Sequence, residues 1–271
     1  MNKLKLIIYK IKSHSKATQI IFVGLLVVLF AVIIMGIFLI INANMRVNGF
    51  IIEGECPYTP EQLAEYAGIE LSQKFGKINY KEAEQDILES AFFVKEVKVS
   101  RNNMTKIKFV VIADNPVYYS KIAEEYYLLS SDFRILARSS GKLEIEGKGL
   151  IGIKFPTLYS AIVGQYPNYT EQYNNYEYIN KIMQAVDNSE LKGRINAYDF
   201  SDKFSIKLVC DNLFLIKLGN SDNLDAKIKA INSFITPEKT MEGIIAQLNV
   251  SDPGELKYTE YPNENQILSF D

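Results

Sequence analysis

Residues Ile20–Ile41 form an unbroken run of 22 residues, IIFVGLLVVLFAVIIMGIFLII, with no charge and no proline. As a helix it is about 33 Å long, enough to cross a hydrocarbon core of about 30 Å. No other stretch of the chain approaches that length without a charge. The preceding tail holds Lys3, Lys5, Lys10, Lys12 and Lys16 and no acid. Basic flanks stay in the cytoplasm, so the run predicts a single-pass type II anchor, with the amino terminus inside and residues 42–271 outside. A cleaved secretory signal is the rival reading. Its apolar region usually spans only about 7–15 residues and ends at small residues. Here the run is longer, and Asn42-Ala43-Asn44 places asparagine where small residues are wanted.

The anchor also reshapes the charge balance. The chain has 30 basic and 32 acidic residues, and five of the lysines lie in the tail. The outer part therefore carries 25 against 32, a net charge of −7. A mildly acidic outer part without a dense basic patch argues against nucleic acid as a partner. Two cysteines, Cys56 and Cys210, are too few for a disulfide-stapled domain. They are expected as separate thiols, with pairing left open. The length of the outer part points to two domains.

The first outer block, 42–114, reads strand, helix, helix, strand, strand. An apolar strand at 47–53 runs into Gly54. Thr59-Pro60-Glu61-Gln62 opens a helix with a cap, a proline at the first helical position and a closing Gln62, and Gly68 ends it. Asn79-Tyr80-Lys81-Glu82 opens a second, with Ala83, Ile87, Leu88 and Ala91 on one face. Val94, Val97, Val99 and Arg101 alternate, as do Ile107, Phe109 and Val111. Asn102-Asn103 joins the two runs as a hairpin.

The second block, 115–260, is richer in strands. Strands are expected at 117–122, 126–129, 134–138, 143–145, 195–200, 205–209, 213–218 and 244–250. Helices are expected at 173–186 and at Leu224–Phe234, the latter with Leu224, Ile228, Ile231 and Ile235 inward. Residues 147–170 read as irregular. After Ser251 the chain predicts a final edge strand, then a loose end at 261–271. The fold class is α+β: one transmembrane helix, a small α+β module and a mixed β-rich domain with two helices.

Ordered in this way, the segments resemble the bacterial cell-division FtsQ/DivIB family, whose first outer module is a POTRA domain. The resemblance rests on Phe50-Ile51-Ile52-Glu53-Gly54, on Tyr58-Thr59-Pro60-Glu61-Gln62, and on Gly68-Ile69. It continues with the V..V.V.R strand Val94 to Arg101, with Asp114-Asn115-Pro116, and with Leu213 to Gly219 followed by Leu224-Asp225-Ala226-Lys227. It covers residues 1–255. At Leu248-Asn249-Val250 the family's usual acid is an amide, and 139–170 does not match. The resemblance implies a non-enzymatic divisome scaffold at the septum of the cell membrane. Its implied partners are FtsL and FtsB/DivIC and, indirectly, the septal synthases FtsW and FtsI. A POTRA-type assembly chaperone is an alternative, although such modules usually repeat. An extracytoplasmic sensor would want a cytoplasmic signalling domain larger than the tail.

Enzymatic chemistry has little to work with. The only histidine, His14, lies in the tail. That removes His-based catalysis and His-rich metal sites from the outer part, and no cofactor is expected. Gly147-Lys148-Gly149-Leu150-Ile151-Gly152 spells G-x-G-x-x-G but precedes a strand-like Ile153-Lys154-Phe155-Pro156, not a helix. Ser139-Ser140-Gly141-Lys142 and Ser221-Asp222-Asn223 spell two of three marks of penicillin-binding enzymes. Ser139 precedes a strand pattern, not a helix, and Lys239-Thr240-Met241 misses the third mark. Tyr166, Tyr169, Tyr173, Tyr176 and Tyr178 cluster, either as an amphipathic cover on the core or as a contact surface.

The candidate site is a sheet edge at 244–259, where unpaired backbone groups would accept a partner strand. Alternation gives Ile245, Gln247 and Asn249 to one face, with Ser251, Leu256 and Tyr258 extending the surface. The competing reading makes 244–250 an interior strand. The hairpin edge of the first module is a second candidate docking surface.

Overall fold

The computed structural model describes residues 16–139, 141, 149–169, 177–252 and 254–261. The expected strand at 143–145, Gly147, Lys142, Tyr173, Tyr176, most of the basic tail and residues 262–271 lie outside them. The fold is α+β. It begins with one apolar helix, α1 (Lys16–Asn44), whose side chains at Ile20–Ile41 are not buried by the protein. A helix apolar on every side and unburied is what a lipid environment or a signal sequence calls for.

The chain divides into two compact units. The first contains α1 and the segments up to Ala91, together with 96–112. Its elements are β1 (Gly49–Glu53), α2 (Pro60–Tyr66), a single 3₁₀ turn at Phe75–Lys77, α3 (Tyr80–Ser90), β2 (Val94–Asn102) and β3 (Lys106–Ala113). The sheet order is β1-β3-β2, with β1 parallel to β3. The capping box at Thr59 is present: its side chain accepts from the Gln62 N–H, and Gln62 accepts from the Thr59 N–H. Asn79 caps α3 by accepting from the Glu82 N–H. Leu63, Ala64, Ala83 and Ile87 of the two helices and Ile107, Phe109 and Val111 of β3 are all buried. The β2 edge is not bare, because the Val99 N–H donates to Glu84 Oε1 at 2.8 Å.

The second unit comprises 92–95 and 113–271. It contains β4 (Tyr118–Ile122), β5 (Glu125–Leu129), β6 (Ile135–Ser139), β7 (Ile151–Lys154), β8 (Leu158–Ser160) and β9 (Asn168–Tyr169). Next come α4 (Glu177–Asp187), β10 (Ile195–Asp199), β11 (Ile206–Cys210), β12 (Phe214–Gly219), α5 (Leu224–Phe234), α6 (Pro237–Met241), β13 (Ala246–Asn249) and β14 (Lys257–Glu260). Nine strands form one mixed sheet in the order β14-β13-β12-β11-β10-β7-β4-β5-β6. Strand β7 runs parallel to both β4 and β10, so it sits mid-sheet. The irregular stretch expected at 147–170 is thus corrected: β7, β8 and β9 lie within it. Two long non-local pairings override the glycine and proline punctuation around Ile151–Lys154.

One face of the sheet presents Tyr118, Ile153, Tyr198, Leu208, Ile216 and Leu248, which cluster with Ile179, Ile182 and Val186 of α4 and Ile228 and Ile231 of α5. Each such side chain removed from water contributes about 1.5–3 kcal/mol. The tyrosine segment divides. Tyr178 is buried and donates from its hydroxyl to Phe200 O at 2.9 Å, whereas Tyr166 is exposed and donates to Asp132 Oδ2 at 3.0 Å. Lys227, on the inward face of α5, is only 2 % exposed. Its Nζ donates to Asn220 O and Oδ1, both at 3.0 Å, pinning the loop after β12.

Cys56 and Cys210 are free thiols. Burial, aided by the neighbouring Asp211 carboxylate, pushes the Cys210 thiol up to about 12. The folded state therefore holds the neutral thiol, and this contribution is complete below the unfolded thiol range and lost as pH rises through the folded value. Stability of the second unit is expected to fall between about pH 9 and 12, by at most on the order of 4 kcal/mol from this group. Denaturant melts across that range check it. Cys210→Val should flatten the slope, leaving the part due to buried Tyr198, whose hydroxyl is raised by the same desolvation.

Candidate functional site

The C-terminal end of the large sheet is built by β12, β13 and β14. Strand β13 is not an edge. On one side it is parallel to β12, with the Ala246 N–H donating to Leu213 O at 3.1 Å and the Val250 N–H to Lys217 O at 3.0 Å. On the other side it pairs antiparallel with β14, in the register Ala246↔Glu260, Gln247↔Thr259, Leu248↔Tyr258 and Asn249↔Lys257. The edge expected over 244–259 is corrected in its first part: as in the competing reading, 244–250 is interior, Ile245, Gln247 and Asn249 flank or form β13, and their backbone groups face β14. The alternation itself is present. Ala246, Leu248 and Val250 are buried, while Ile245, Gln247 and Asn249 are half-buried on the opposite face.

The edge is β14, whose four residues are all exposed. The Tyr261 N–H donates to Ile245 O at 2.9 Å. In an antiparallel ladder inward-bonding residues alternate with outward-facing ones. Residues 257, 259 and 261 therefore bond inward to β13, and the N–H and C=O groups of Tyr258 and Glu260 point away from it. Among the described residues no strand lies beyond β14. The opposite edge of the sheet differs. At β6, the Ile135 N–H donates to Gln165 O at 2.9 Å and Ile135 O accepts from the Gly164 N–H at 2.7 Å. That edge is partly occupied by its own chain.

The two faces beside β14 have different chemistry. Tyr258 shares the face of Leu248 and packs on Phe234 of α5, ring centroids 5.0 Å apart. Leu256 also packs against the core there. The other face shows a line of cross-strand neighbours: Lys257, Asn249, Lys217, Lys207, Asp199 and Lys154. Residues directly opposite in a ladder share a face, so these side chains emerge side by side. Asp199 is the one acid in the line and pairs with Lys207 at 3.6 Å. Of the proposed contact residues, the structure brings Gln247, Asn249 and Tyr258 onto adjacent strands, with Ile245, Ser251 and Leu256 in the flanking turns. Tyr261, whose hydroxyl donates to Gln247 Oε1 at 3.0 Å, was not foreseen. Its place in the period-two pattern of 257–261 is the signal that marks it.

The enzyme-like strings do not converge. Ser139 closes β6 and is buried, its Oγ donating to Gly141 O at 3.1 Å. Ser221-Asp222-Asn223 precede α5, just after β12. Six strand spacings separate β6 from β12, about 29 Å across the sheet. Gly152 lies within β7, and no helix opens after it. A groove between α4 and α5 is lined by Lys181, Glu190, Leu224, Asp225, Ile228 and Lys229. Neither a known protein family nor a characterised protein matches the chain in sequence.

Proposed function

We propose that this chain is a membrane-anchored, non-enzymatic scaffold of the FtsQ/DivIB type, with a POTRA-like first module. Its second unit captures a partner chain by strand addition. On this reading α1 spans the cell membrane once, both units lie outside, and the partners are the single-pass division proteins FtsL and FtsB/DivIC. Through them the scaffold acts on septal synthesis by FtsW and FtsI.

The observation that carries the proposal is the outward-facing backbone of Tyr258 and Glu260 on an exposed edge strand. Main-chain bonds give such an interface its affinity, and alternate side chains give it specificity. The partner segment is expected to be extended and two-faced. Apolar residues on one side would cover Tyr258 and Phe234. Acidic residues on the other would face Lys257.

Glu260→Pro tests this reading. Proline removes an N–H that points away from β13 and leaves the inward bonds of residues 257, 259 and 261 intact, a position that edge strands tolerate. The full-length variant should keep its melting transition but bind the co-expressed partner pair at least about tenfold more weakly. Unchanged binding by a folded variant would sink the strand-addition mode. Gln247→Pro cannot serve, because it removes an internal ladder bond and damages the sheet itself. A fluorescent fusion of the full chain should mark the mid-cell septum; uniform peripheral signal would count against the divisome assignment.

A further inference from the structure

The end of the first unit nearest α1 is built unlike the rest of its surface. Two loops are tied by backbone bonds to the residues that leave the helix. The Val47 N–H donates to Gln73 O at 2.9 Å and the Ser72 N–H to Val47 O at 2.7 Å. The Asn48 N–H donates to Thr105 O at 2.6 Å, and the Phe75 N–H to Met45 O at 3.2 Å. Side chains add to this. Arg46 Nη1 donates to Ser72 O at 2.7 Å, and Arg101 reaches Met45 Sδ, Asn103 O and Met104 O. The loops at 70–73 and 103–105 thereby form a collar around the helix exit.

The tips of that collar are apolar and exposed: Leu71 at 60 % and Met104 at 59 %. Residues 45–48, 70–77 and 101–106 hold Arg46, Lys74, Lys77, Arg101 and Lys106 against one acid, Glu70. The outer part as a whole is acidic, so this end runs against the average. Apolar tips ringed by cations are the composition of a surface that sits on phosphate headgroups. Height agrees with composition. Helix α1 continues past Ile41 to Asn44, which puts Met45 about 6 Å beyond the hydrocarbon edge. The headgroup layer is itself about 5–8 Å thick on each side.

We propose that this collar lies in the outer headgroup layer of the bilayer, with Leu71 and Met104 dipping toward the acyl chains and the basic ring on lipid phosphates. The inference rests on α1 being an uncleaved anchor. It assigns the first unit a fixed seat on the membrane instead of free rotation on a tether.

The chain has no tryptophan, so single tryptophans report cleanly. Full-length Leu71→Trp and Met104→Trp are reconstituted in phosphatidylcholine nanodiscs, with and without phosphatidylglycerol. Glu55→Trp is the reference, since it lies past the far end of β1, which runs about 17 Å from Asn48 to Glu53. Emission from positions 71 and 104 should be blue-shifted and quenched by lipids brominated high on the acyl chain, with position 55 unquenched. Protein that enters the discs but emits at 71 and 104 as it does at 55 overturns the collar alone. Protein that does not co-purify with discs overturns the anchor and the collar together.

Discussion

Replacing Arg134 with alanine is expected to cost the second unit about 3–5 kcal/mol. Arg134 Nε and Nη2 both donate to Asp114 Oδ2, at 3.1 and 2.8 Å. Nη2 also donates to Phe92 O at 2.9 Å and Val94 O at 2.8 Å. Asp114 is only 4 % exposed, so the variant would bury a carboxylate with its cation gone. Two carbonyls would lose a charged donor at the same time. The penalty comes from the group left behind, which separates this explanation from simple loss of packing. Denaturant melts of Arg134→Met, Asp114→Asn and the double variant decide it. The double variant should recover much of the loss, giving a coupling energy well above additivity. Additive losses would show that packing, not charge pairing, sets the cost.

Gly54→Ala is expected to destabilise the first unit by more than about 3 kcal/mol. Gly54 has φ +107°, a region that side-chain-bearing residues rarely enter. A Cβ there would stand 2.1 Å from Val111 O, a backbone atom held in the β3 ladder. Neither a rotamer change nor a small shift relieves that contact. Gly68 is a useful control, because it also has positive φ but nothing within 4 Å of a Cβ. Gly68→Ala should cost about 1 kcal/mol, from conformation alone. Hydrogen exchange across β1 and β3 reads both variants. Equal protection in the two would remove the steric argument.

Local signals were legible where the physics is local. The capping residues Thr59 and Asn79 mark α2 and α3, since each offers a side-chain acceptor to an N–H the helix leaves unpaired. The 3.6-residue spacing of Ile228 and Ile231 places α5 at its observed bounds. What the chain does not print is which strands meet. Ile151–Lys154 carries a glycine and is flanked by Gly149 and Pro156, so only a strand-like fragment from Ile153 shows within a stretch that reads as irregular; it is a strand because β4 and β10 claim it from both sides. A final edge strand is expected after Ser251, and Lys257–Glu260 is that strand, β14. Its pairing makes β13 an interior member and confines the edge expected over 244–259 to β14. Lys227 stands in the sequence only as part of the Leu224–Lys227 pattern, and nothing local announces that Asn220 would fold back to receive it.

The mid-sheet position of β7 also sets an order of events. Strands β4, β5 and β6 are a meander of near neighbours, as are β10, β11 and β12, and each can nucleate by closing short loops. Strand β7 has no such neighbour; its pairings reach back across β5 and β6 to β4 and forward across α4 to β10. Until it docks, each half-sheet is left with an uncovered inner edge, and those edges are as adhesive to a foreign chain as to β7. The vulnerable moment for this protein is therefore the late welding of two finished halves, when a neighbouring copy could take the place of a four-residue strand.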